Sequence, residues 1–354
     1  MSTVSILNKT DNNIQFKITN KKDYIYEVSI INALRRIILM NLEIFCIDRE
    51  NIFFQRNTSI YSEDFLTQRF SLLPLNFEVL SKLDISKIEI HFNASNSDIV
   101  EPSAFYSKDL KFYYGDKDTP IEERKLLTNI ITIPNILLLK LKPDQHIDSI
   151  MYLKKGTHKE DGAMFCPVSK CVYFFETDKK LFSSEISKLD VPKQRELSPI
   201  LREKLYLKNS ENIPTLYNFH IECDNILPIK VIFPMGCDHL ISLLEYWQNE
   251  IKNVEVSSNL SIETSPTNMK GYDFIFEKSD DTLGNIIQTY GLKDKEIKYI
   301  GYHIPHPLDR KLFVRIALTN EKLGIKSYEN KMINILKILV KIVQILKKDY
   351  LKVI

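Results

Sequence analysis

The distribution of apolar residues predicts a long amphipathic helix near each end of the chain. In the first helix the apolar positions recur three or four residues apart, at Val28, Ile31, Leu34, Ile38 and Leu42. Arg35 and Arg36 lie beside this apolar stripe. The last helix, over 327–351, has lysines on one face and a broad apolar face formed by Met332, Leu336, Leu339, Ile342, Val343, Leu346 and Tyr350. We expect another helix to cover this face, because the few strands predicted beside it offer too little surface.

Shorter patterns predict the elements that lie between these two helices. Ile14, Phe16 and Ile18 alternate with polar residues, which indicates a half-buried strand that opens the fold. Residues 48–57 read as extended, and a short helix that ends at Pro74 follows them. A further amphipathic helix is predicted over 237–251, with apolar residues at Leu240, Leu243, Leu244 and Trp247.

The remaining segments divide the chain into domains. Short strand-like runs broken by polar turns and prolines fill 78–214, which predicts an irregular β-rich insert. Residues 253–270 are rich in Ser, Thr and Asn, which is typical of a linker. We therefore predict an α+β chain with a first domain made of 1–48 and 215–252, an insert over 49–214, a linker over 253–270 and a last domain over 271–354.

Composition narrows the classes of function. The chain has 354 residues, enough for two or three folding units, and a net charge of only +2 from 48 basic and 46 acidic side chains. Because these charges nearly cancel, the chain has no strong overall electrostatic field that would attract nucleic acid or an anionic membrane. Five cysteines without paired spacing indicate reduced thiols. Since no apolar run reaches the roughly 18 residues of a membrane span, we expect an unprocessed intracellular protein without a membrane partner.

The chemical candidates are few. His303 and His306 lie three positions apart, but no Cys or carboxylate completes a zinc ligand set at the usual spacing. His158 and Cys166 are the one nearby pair that could form an activated thiol. No phosphate-binding Gly-rich loop and no cluster of aspartates for catalytic magnesium is present. We therefore predict a noncatalytic chain without metal or cofactor, and keep a thiol or metal enzyme around His158 and Cys166 as one alternative.

The paired arginines allow two interpretations. Arg35 and Arg36 could form the solvated flank of the helix, which is the usual setting for such a pair. On a helix otherwise made of apolar residues, however, two guanidinium groups are suited to bidentate contacts with carboxylates of a partner protein. The lysine face of the last helix leaves a second alternative open, a free-standing transcription regulator or nucleic-acid-binding protein.

Two long motifs resemble a known pair of families. NALRRII at 32–38, followed by IDRENIFFQRNTSIYSEDFLTQRFSLLPL, resembles the α-like subunits of RNA polymerases: the third subunit of RNA polymerase II, its archaeal counterpart and the bacterial α N-terminal domain. KKGTHKEDGAMFCPVSKC at 154–171 is similar to a further segment of that family. DDTLGNIIQTYG and YIGYHIPHPLDRKLFVRI resemble the eleventh subunit of RNA polymerase II and its archaeal counterpart, except that Asp281 stands where that family usually has histidine.

The resemblance implies an intramolecular α-like pseudo-heterodimer with a helical dimerisation interface, whose first half carries the β-rich insert. Its implied partner-binding residues are Asn32, Leu34, Arg35, Arg36, Asn57, Thr58, Ser59, Arg69, Pro74, His158 and Lys159. Its implied dimer-interface residues are Ile31, Ile38, Leu244, Trp247, Thr282, Leu283, Gly284, Asn285, Pro305, His306, Pro307, Leu336, Leu339, Val343 and Leu346. Some family members hold zinc or an iron–sulfur cluster in the insert, but the insert has no cysteine before Cys166, so no metal is carried over.

The resemblance also implies a function. In the family the α-like pair docks the second-largest and then the largest polymerase subunit, so we expect a noncatalytic assembly subunit of a DNA-directed RNA polymerase. The expected partners are those two subunits, with a small subunit of the tenth or twelfth type as a further candidate, and DNA and RNA only through the complex. No homodimer is expected. A single chain that joins both halves is typical of large DNA viruses, which predicts the cytoplasmic viral factory and the virion as locations, and the nucleus for a protein that is not viral.

Overall fold

The structure is a computed structural model that describes residues 3–21, 25–97, 100–116, 118–265, 270–306 and 308–354. In chain order its strands β1 to β15 are Val4–Lys9, Asn13–Thr19, Ile44–Asn57, Ile88–Ser95, Ser103–Tyr106, Lys111–Tyr114, Lys125–Leu127, Leu137–Leu141, His146–Gly156, Val168–Phe175, Leu216–Cys223, Leu260–Thr264, Tyr272–Phe276, Ile297–His303 and Leu312–Leu318. Its helices α1 to α9 are Val28–Met40, Glu63–Ser71, Phe77–Leu80, His158–Asp161, Lys179–Ile186, Val191–Lys204, Ile229–Lys252, Asp281–Gly291 and Ile325–Leu351. Mixed sheets and helices of this kind confirm the predicted α+β class.

The chain forms two compact units. Unit 1 comprises 1–38, 171–221 and 232–354, and unit 2 comprises 39–170 and 222–231. Residues 171–214, which we predicted within the β-rich insert, therefore lie in unit 1. The physical reason is that β10 belongs to a sheet with β1, β2 and β11, so the chain returns to unit 1 earlier than the prolines suggested. Residues 39–48 and 222–231, which we predicted in the first domain, lie in unit 2.

The first sheet of unit 1 has the strand order β1-β2-β11-β10. The side chains of Ile14, Phe16 and Ile18 on β2 are fully buried, which confirms the alternation seen in the sequence. The fold opens one strand earlier than predicted, because β1 pairs antiparallel with β2, Val4 opposite Ile18. Most of β1 is exposed, as expected for an edge strand, and the sequence therefore shows no clear alternation there.

The second sheet of unit 1 has the order β12-β13-β15-β14 and is antiparallel throughout. Strand β12 lies inside the segment predicted as a linker, and this is a correction. Leu260 pairs with Phe276 and is itself buried, so backbone pairing with β13 orders a polar segment that has little apolar pattern of its own.

Helices complete unit 1. The predicted helices are confirmed as α1, α7 and α9, and α8 follows the second sheet's first hairpin. The sequence analysis names only strand-like runs in this part of the β-rich insert and does not predict helices α5 and α6. Asp178 caps α5 by accepting from the backbone N–H groups of Lys180 and Leu181. Neither α5 nor α6 has a fully buried residue, so neither shows the strong apolar stripe on which a helix prediction depends.

Unit 2 is the β-rich part. Its main sheet has the order β3-β9-β4-β6-β7, and β5 pairs with β8. The short helix predicted before Pro74 is α2, which Ser62 caps by accepting a hydrogen bond from the Phe65 N–H at 3.3 Å. Arg124 is nearly buried and donates to Glu89 at 2.9 Å, which satisfies a charge within this core. No helix in the described part of the chain is long and apolar enough to cross a membrane.

Candidate protein-binding interface

An aromatic cluster joins the two halves of unit 1, by which we mean its residues before and after position 253. Tyr350 of α9 lies with its ring 5.1 Å from that of Phe16 on β2 and 4.7 Å from that of Phe233 on α7. Phe219 of β11 stacks on Phe16 at 5.3 Å. All four side chains are buried. The last helix of the chain therefore packs into the core of the first sheet, which is the cover that its broad apolar face requires.

A second aromatic contact lies at the far end of α7. Trp247, the one tryptophan of the chain, meets Phe276 of β13 edge to face, with ring centroids 5.0 Å apart. The predicted interface residues on these helices are buried in unit 1, namely Ile31, Ile38, Leu244, Trp247, Leu336, Leu339, Val343 and Leu346. Their burial is what an intramolecular dimerisation interface needs.

Helix α1 approaches α7 closely. A Cβ added at Gly236 would lie 2.7 Å from a side-chain carbon of Ile38, which leaves room only for hydrogen at this position. Leu34 is also fully buried. The structure thus places Leu34, which we predicted to bind a separate partner, in the core of unit 1, where its side chain has no free surface.

Polar groups tie the two halves as well. The Asp349 carboxylate of α9 accepts hydrogen bonds from the backbone N–H and the hydroxyl of Thr3, at 3.0 and 2.8 Å, and pairs with Lys352 at 2.8 Å. Burial alone would raise the pKa of Asp349, but the bonds from Lys352 and Thr3 lower it to about 2. This carboxylate therefore stays ionised at neutral pH and anchors β1 to the last helix.

Tyr290 of α8 makes a further polar link. Its hydroxyl donates to the Ile25 carbonyl at 3.1 Å and accepts from the Glu27 N–H at 3.3 Å, and Lys293 pairs with Glu27 at 2.5 Å. Burial raises the pKa of the Tyr290 phenol, so the phenol keeps its proton. The start of α1 is thereby fixed against the end of α8.

Helix α8 packs tightly on the second sheet. Asp280 caps α8 by accepting from the Thr282 N–H at 2.9 Å. Leu283 is buried, and a Cβ at Gly284 would lie 2.5 Å from the Tyr302 ring and 2.8 Å from Leu312. The sequence TLGN thus combines a half-buried Thr, a buried Leu and a Gly that lets the helix touch β14.

A polar face forms where α1 meets the beginning of α8. The Arg36 guanidinium lies 3.9 Å from the Asp280 carboxylate, and a third of its side chain is exposed. Burial and the Asp281 carboxylate raise the pKa of the Tyr302 phenol, whereas a hydrogen bond with Asn285 and the charge of Arg36 oppose that rise. We call Arg36, Asp280, Asp281, Asn285 and Tyr302 the composite face, because its residues come from both halves of unit 1.

Arg35 lies apart from its neighbour. Its Nε donates to the Asn32 side chain at 2.9 Å, within α1 itself. Its charge acts on Cys171 and Tyr173 of β10, where it partly opposes the rise in pKa that burial causes in both groups. The two arginines therefore face different surroundings, as expected for consecutive residues about 100° apart around a helix.

Other predicted interface residues lie at the surface. Asn285, Pro305 and His306 are exposed and Thr282 is half-buried, so these predicted interface residues lie outside the buried core, and their role stays a prediction. His303 is the last residue of β14, and its ring stacks on that of Phe313 on β15 with centroids 5.1 Å apart. Pro307 lies outside the described residues.

The remaining partner-binding predictions fall in unit 2. Asn57 shapes a turn, because its carboxamide oxygen accepts from the N–H and the hydroxyl of Ser59 at 3.0 and 2.7 Å. Thr58 exchanges hydrogen bonds with the backbone of His146. Arg69 donates to the Leu137 carbonyl, and Pro74 accepts from Thr132. These residues stabilise the local fold, Pro74 through its backbone carbonyl, and Thr58 is also exposed.

In the segment with His158, Lys159 and Cys166, the cysteine side chain is bonded to the backbone. The Cys166 thiol donates to the Val168 carbonyl at 3.2 Å, and the buried Nδ1 of His158 has no hydrogen-bond partner within the described ranges. Lys159 is half-buried beside it on the short helix α4. Among the residues that the structure describes, no group of three or more His, Cys, Asp or Glu could hold a metal ion.

The sequence analysis missed several contributors to this interface. Thr3, Phe233, Phe276, Tyr290 and Asp349 carry its contacts but lie outside the predicted site residues. Tyr290 lies in the DTLGNIIQTY motif, so the sequence offered a signal for it. Thr3 and Asp349 are 346 positions apart, and no local pattern could have paired them.

Comparison with known proteins agrees with this geometry. The RNA polymerase Rpb3/Rpb11 dimerisation domain family matches residues 272–353. The probable DNA-directed RNA polymerase II subunits RPB11 of Caenorhabditis briggsae and Caenorhabditis elegans are 45% and 47% identical over 47 residues, which cover 13% of this chain and 38% of each nematode protein. The DNA-directed RNA polymerase subunit Rpo3 of Pyrococcus furiosus is 24% identical over 275 residues, which cover 71% of this chain and 97% of Rpo3.

The two kinds of relative differ in how much of their own length the chain covers. The match to the nematode proteins spans well under half of their length, whereas the archaeal match spans nearly all of Rpo3. The predicted resemblance to α-like polymerase subunits is thus confirmed. Residues 272–353 therefore match the Rpb3/Rpb11 dimerisation-domain family, and over 71% of its length the chain is similar to archaeal Rpo3, a subunit of DNA-directed RNA polymerase.

Proposed function

We propose that this chain is a noncatalytic assembly subunit of a multisubunit DNA-directed RNA polymerase, in which one polypeptide supplies both members of the α-like pair. The observation that carries the proposal is the packing of α9 against β2 and α7 within unit 1. A dimerisation domain whose apolar face is covered by its own chain needs no separate partner of that type. Joining both halves in one chain also raises their effective concentration, so assembly does not depend on two chains meeting.

The composite face is the proposed docking site for a large polymerase subunit. It carries both signs of charge, and Asp281 and Asn285 are exposed while a third of the Arg36 side chain is exposed. The Arg36–Asp280 pair at 3.9 Å is long and partly exposed, so it contributes little to folding, and the exposed third of the Arg36 side chain can contact a partner. Arg36 supplies the planar donor array that suits a carboxylate of the partner.

The proposal extends to the identity of the partners and to the location. The two largest polymerase subunits are the proposed partners, with a small subunit of the tenth or twelfth type in addition, and nucleic acid is reached only through the complex. The single-chain arrangement supports a large DNA virus as the proposed source, with the viral factory and the virion as locations.

Co-purification tests this function. A tagged wild-type chain isolated from its native source should retain two large proteins in near-stoichiometric amount. Arg35→Glu with Arg36→Glu should reduce their recovery at least about tenfold, since like charges placed across an interface cost several kcal/mol. Asn285→Arg, at an exposed site on the other half, should weaken recovery as well. Quantitative mass spectrometry of the eluate gives the ratios.

The matched control is Lys326→Glu with Lys337→Glu, the same change of charge on two exposed lysines of α9. It should leave recovery of the large proteins unchanged. All variants should keep the wild-type circular-dichroism spectrum and melting temperature. Full recovery of the large proteins both by the Arg35→Glu, Arg36→Glu variant and by Asn285→Arg would contradict the proposal, as would the absence of the large proteins from the wild-type eluate.

A further inference from the structure

An apolar groove runs along the outer side of α9 and is not part of the composite face. It encloses about 840 Å³ and lies between the end of α8 and the middle of α9. Its floor is aliphatic, formed mainly by Ile335, Ile338, Ile342 and Ile345. Ile338 is 52% exposed, an unusual position for isoleucine on a helix whose opposite face fills a core. The groove therefore offers an uncovered apolar strip.

The rim of the groove is cationic. Lys341 and Lys348 line it two helical turns apart, and both are exposed without an ion pair among the described residues. The other charged lining groups are engaged, because Lys293 pairs with Glu27 and Asp294 pairs with Lys331. The segment 325–354 as a whole has seven lysines and two acidic residues. An occupant would gain from acidic groups placed beside its own apolar ridge.

The floor argues against nucleic acid as the occupant. Proteins that hold single strands stack bases on exposed aromatic rings. Here the one aromatic lining residue, Tyr290, is only 8% exposed and its hydroxyl is bonded to the backbone of Ile25. The rim lysines could attract phosphates, but branched aliphatic side chains give the bases no flat surface to stack on. The groove favours protein.

The rim argues against a second copy of this chain. A two-fold contact through this groove would place α9 against its own equivalent. Lys341 and Lys348 of each copy would then face the same lysines across the contact, and no acidic residue of 325–348 other than Glu329 is available to pair with them. Like charges opposed in this way disfavour a homodimer.

We infer that this groove is the docking site for an acidic amphipathic α-helix of another protein. The groove follows α9 from Asn334 to Lys348, a length of about 20 Å, which matches a helix of about 15 residues. Apolar residues of that helix three and four positions apart would meet Ile338, Ile342 and Ile345, and flanking carboxylates would reach Lys341 and Lys348. This site goes beyond the proposed polymerase assembly role, because it lies on the side of α9 that faces away from the first sheet.

Fluorescence anisotropy with a defined probe tests the inference on the full-length chain. The probe is a fluorescein-labelled peptide of about 15 residues, with leucines at helical spacing and glutamates beside them. A peptide of the same composition in scrambled order is the control ligand. The wild-type chain should bind the ordered peptide saturably, more weakly at high salt, and should not bind the scrambled one.

Variants of the groove make the test specific. Ile338→Glu should weaken binding of the ordered peptide at least about tenfold, because it places a charge in the apolar floor. Lys341→Glu with Lys348→Glu should weaken it as much, because the change reverses the charge of the rim. Lys337→Glu, on the exposed side of α9 beside the groove, should leave binding within about twofold of wild type. Since all four side chains are exposed, melting temperatures should match the wild type.

Four results would overturn the inference. These are no saturable binding of the ordered peptide, an equal loss in Lys337→Glu, binding of a single-stranded oligothymidylate that depends on the lysines but not on Ile338, and a dimer by sedimentation that Ile338→Glu dissociates. The last two would assign the groove to nucleic acid and to a second copy. The variants of the composite face leave this groove intact. A failure of the helix-docking inference can therefore be distinguished from a failure of the proposed polymerase role.

Discussion

Replacing Tyr350 with alanine should lower the free energy of unfolding of unit 1 by about 3–5 kcal/mol, the range for deletion of a buried aromatic side chain. Tyr350 is fully buried, and its ring contacts Phe16 of the first sheet and Phe233 of α7. Alanine would leave a cavity where the two halves meet. Urea unfolding followed by the fluorescence of Trp247, which lies at the same interface, measures the loss.

Tyr350→Phe is the matched control. The Tyr350 hydroxyl is buried and has no hydrogen-bond partner in the described part of the chain. Removing it should change the free energy of unfolding by less than about 1 kcal/mol, or stabilise the protein, because an unsatisfied polar group is lost with it. An equal loss in the free energy of unfolding for Tyr350→Phe and Tyr350→Ala would mean that the hydroxyl, and not the aromatic packing, stabilises the contact between the halves. A loss below about 1 kcal/mol for Tyr350→Ala would contradict the proposed core.

Asp349→Asn should destabilise unit 1 by about 2 kcal/mol at neutral pH, which is the free energy that corresponds to the lowering of its pKa from 3.8 to about 2. The ionised carboxylate accepts two hydrogen bonds from Thr3 and pairs with Lys352. An amide keeps the shape but loses the charge and one acceptor oxygen. Urea unfolding of wild type and variant at neutral pH gives the difference.

The pH dependence of that difference has a definite sign. The folded-state pKa of Asp349 lies below the unfolded value, so its contribution is fully present above the unfolded value of 3.8 and is lost as the pH falls toward about 2. The gap between wild type and Asp349→Asn should therefore be constant near neutrality and close between about pH 5 and pH 2. Asp309→Asn, at an exposed site in the same unit, should show little difference at any pH. A gap that widens in acid would contradict this account.

The parts of the fold that the sequence could predict share one property, a one-sided apolar face. Helices α1, α7 and α9 and strand β2 each bury one side. Their apolar residues therefore recur with a period of 3.6 residues in the helices and 2 in the strand. Strand β1 has a buried residue only at its start, β12 is ordered by pairing, and α5 and α6 bury no residue fully. Where cross-strand pairing or capping orders a segment, the spacing of its apolar residues does not predict its secondary structure.

The sequence likewise predicts some of the interface residues and not others. The motif around Thr282 identified a dimerisation domain, but a motif gives positions along the chain and not the direction in which side chains face. Gly284 packs on Tyr302, while Asn285, the next residue, is exposed. The paired arginines were expected to act together, yet Arg36 approaches Asp280 and Arg35 bonds to Asn32. Contacts such as Thr3 with Asp349 depend on the tertiary fold alone.

The central claim is that one chain supplies both halves of the α-like pair and packs them together, and cleavage between the halves tests it most directly. A specific protease site inserted after Val256, which is 89% exposed, would separate the chain into an Rpo3-like and an RPB11-like fragment. We predict that the two fragments elute as one species in native size-exclusion chromatography, with unchanged Trp247 emission, and separate only in denaturant. Two fragments that elute separately under native conditions would contradict the account.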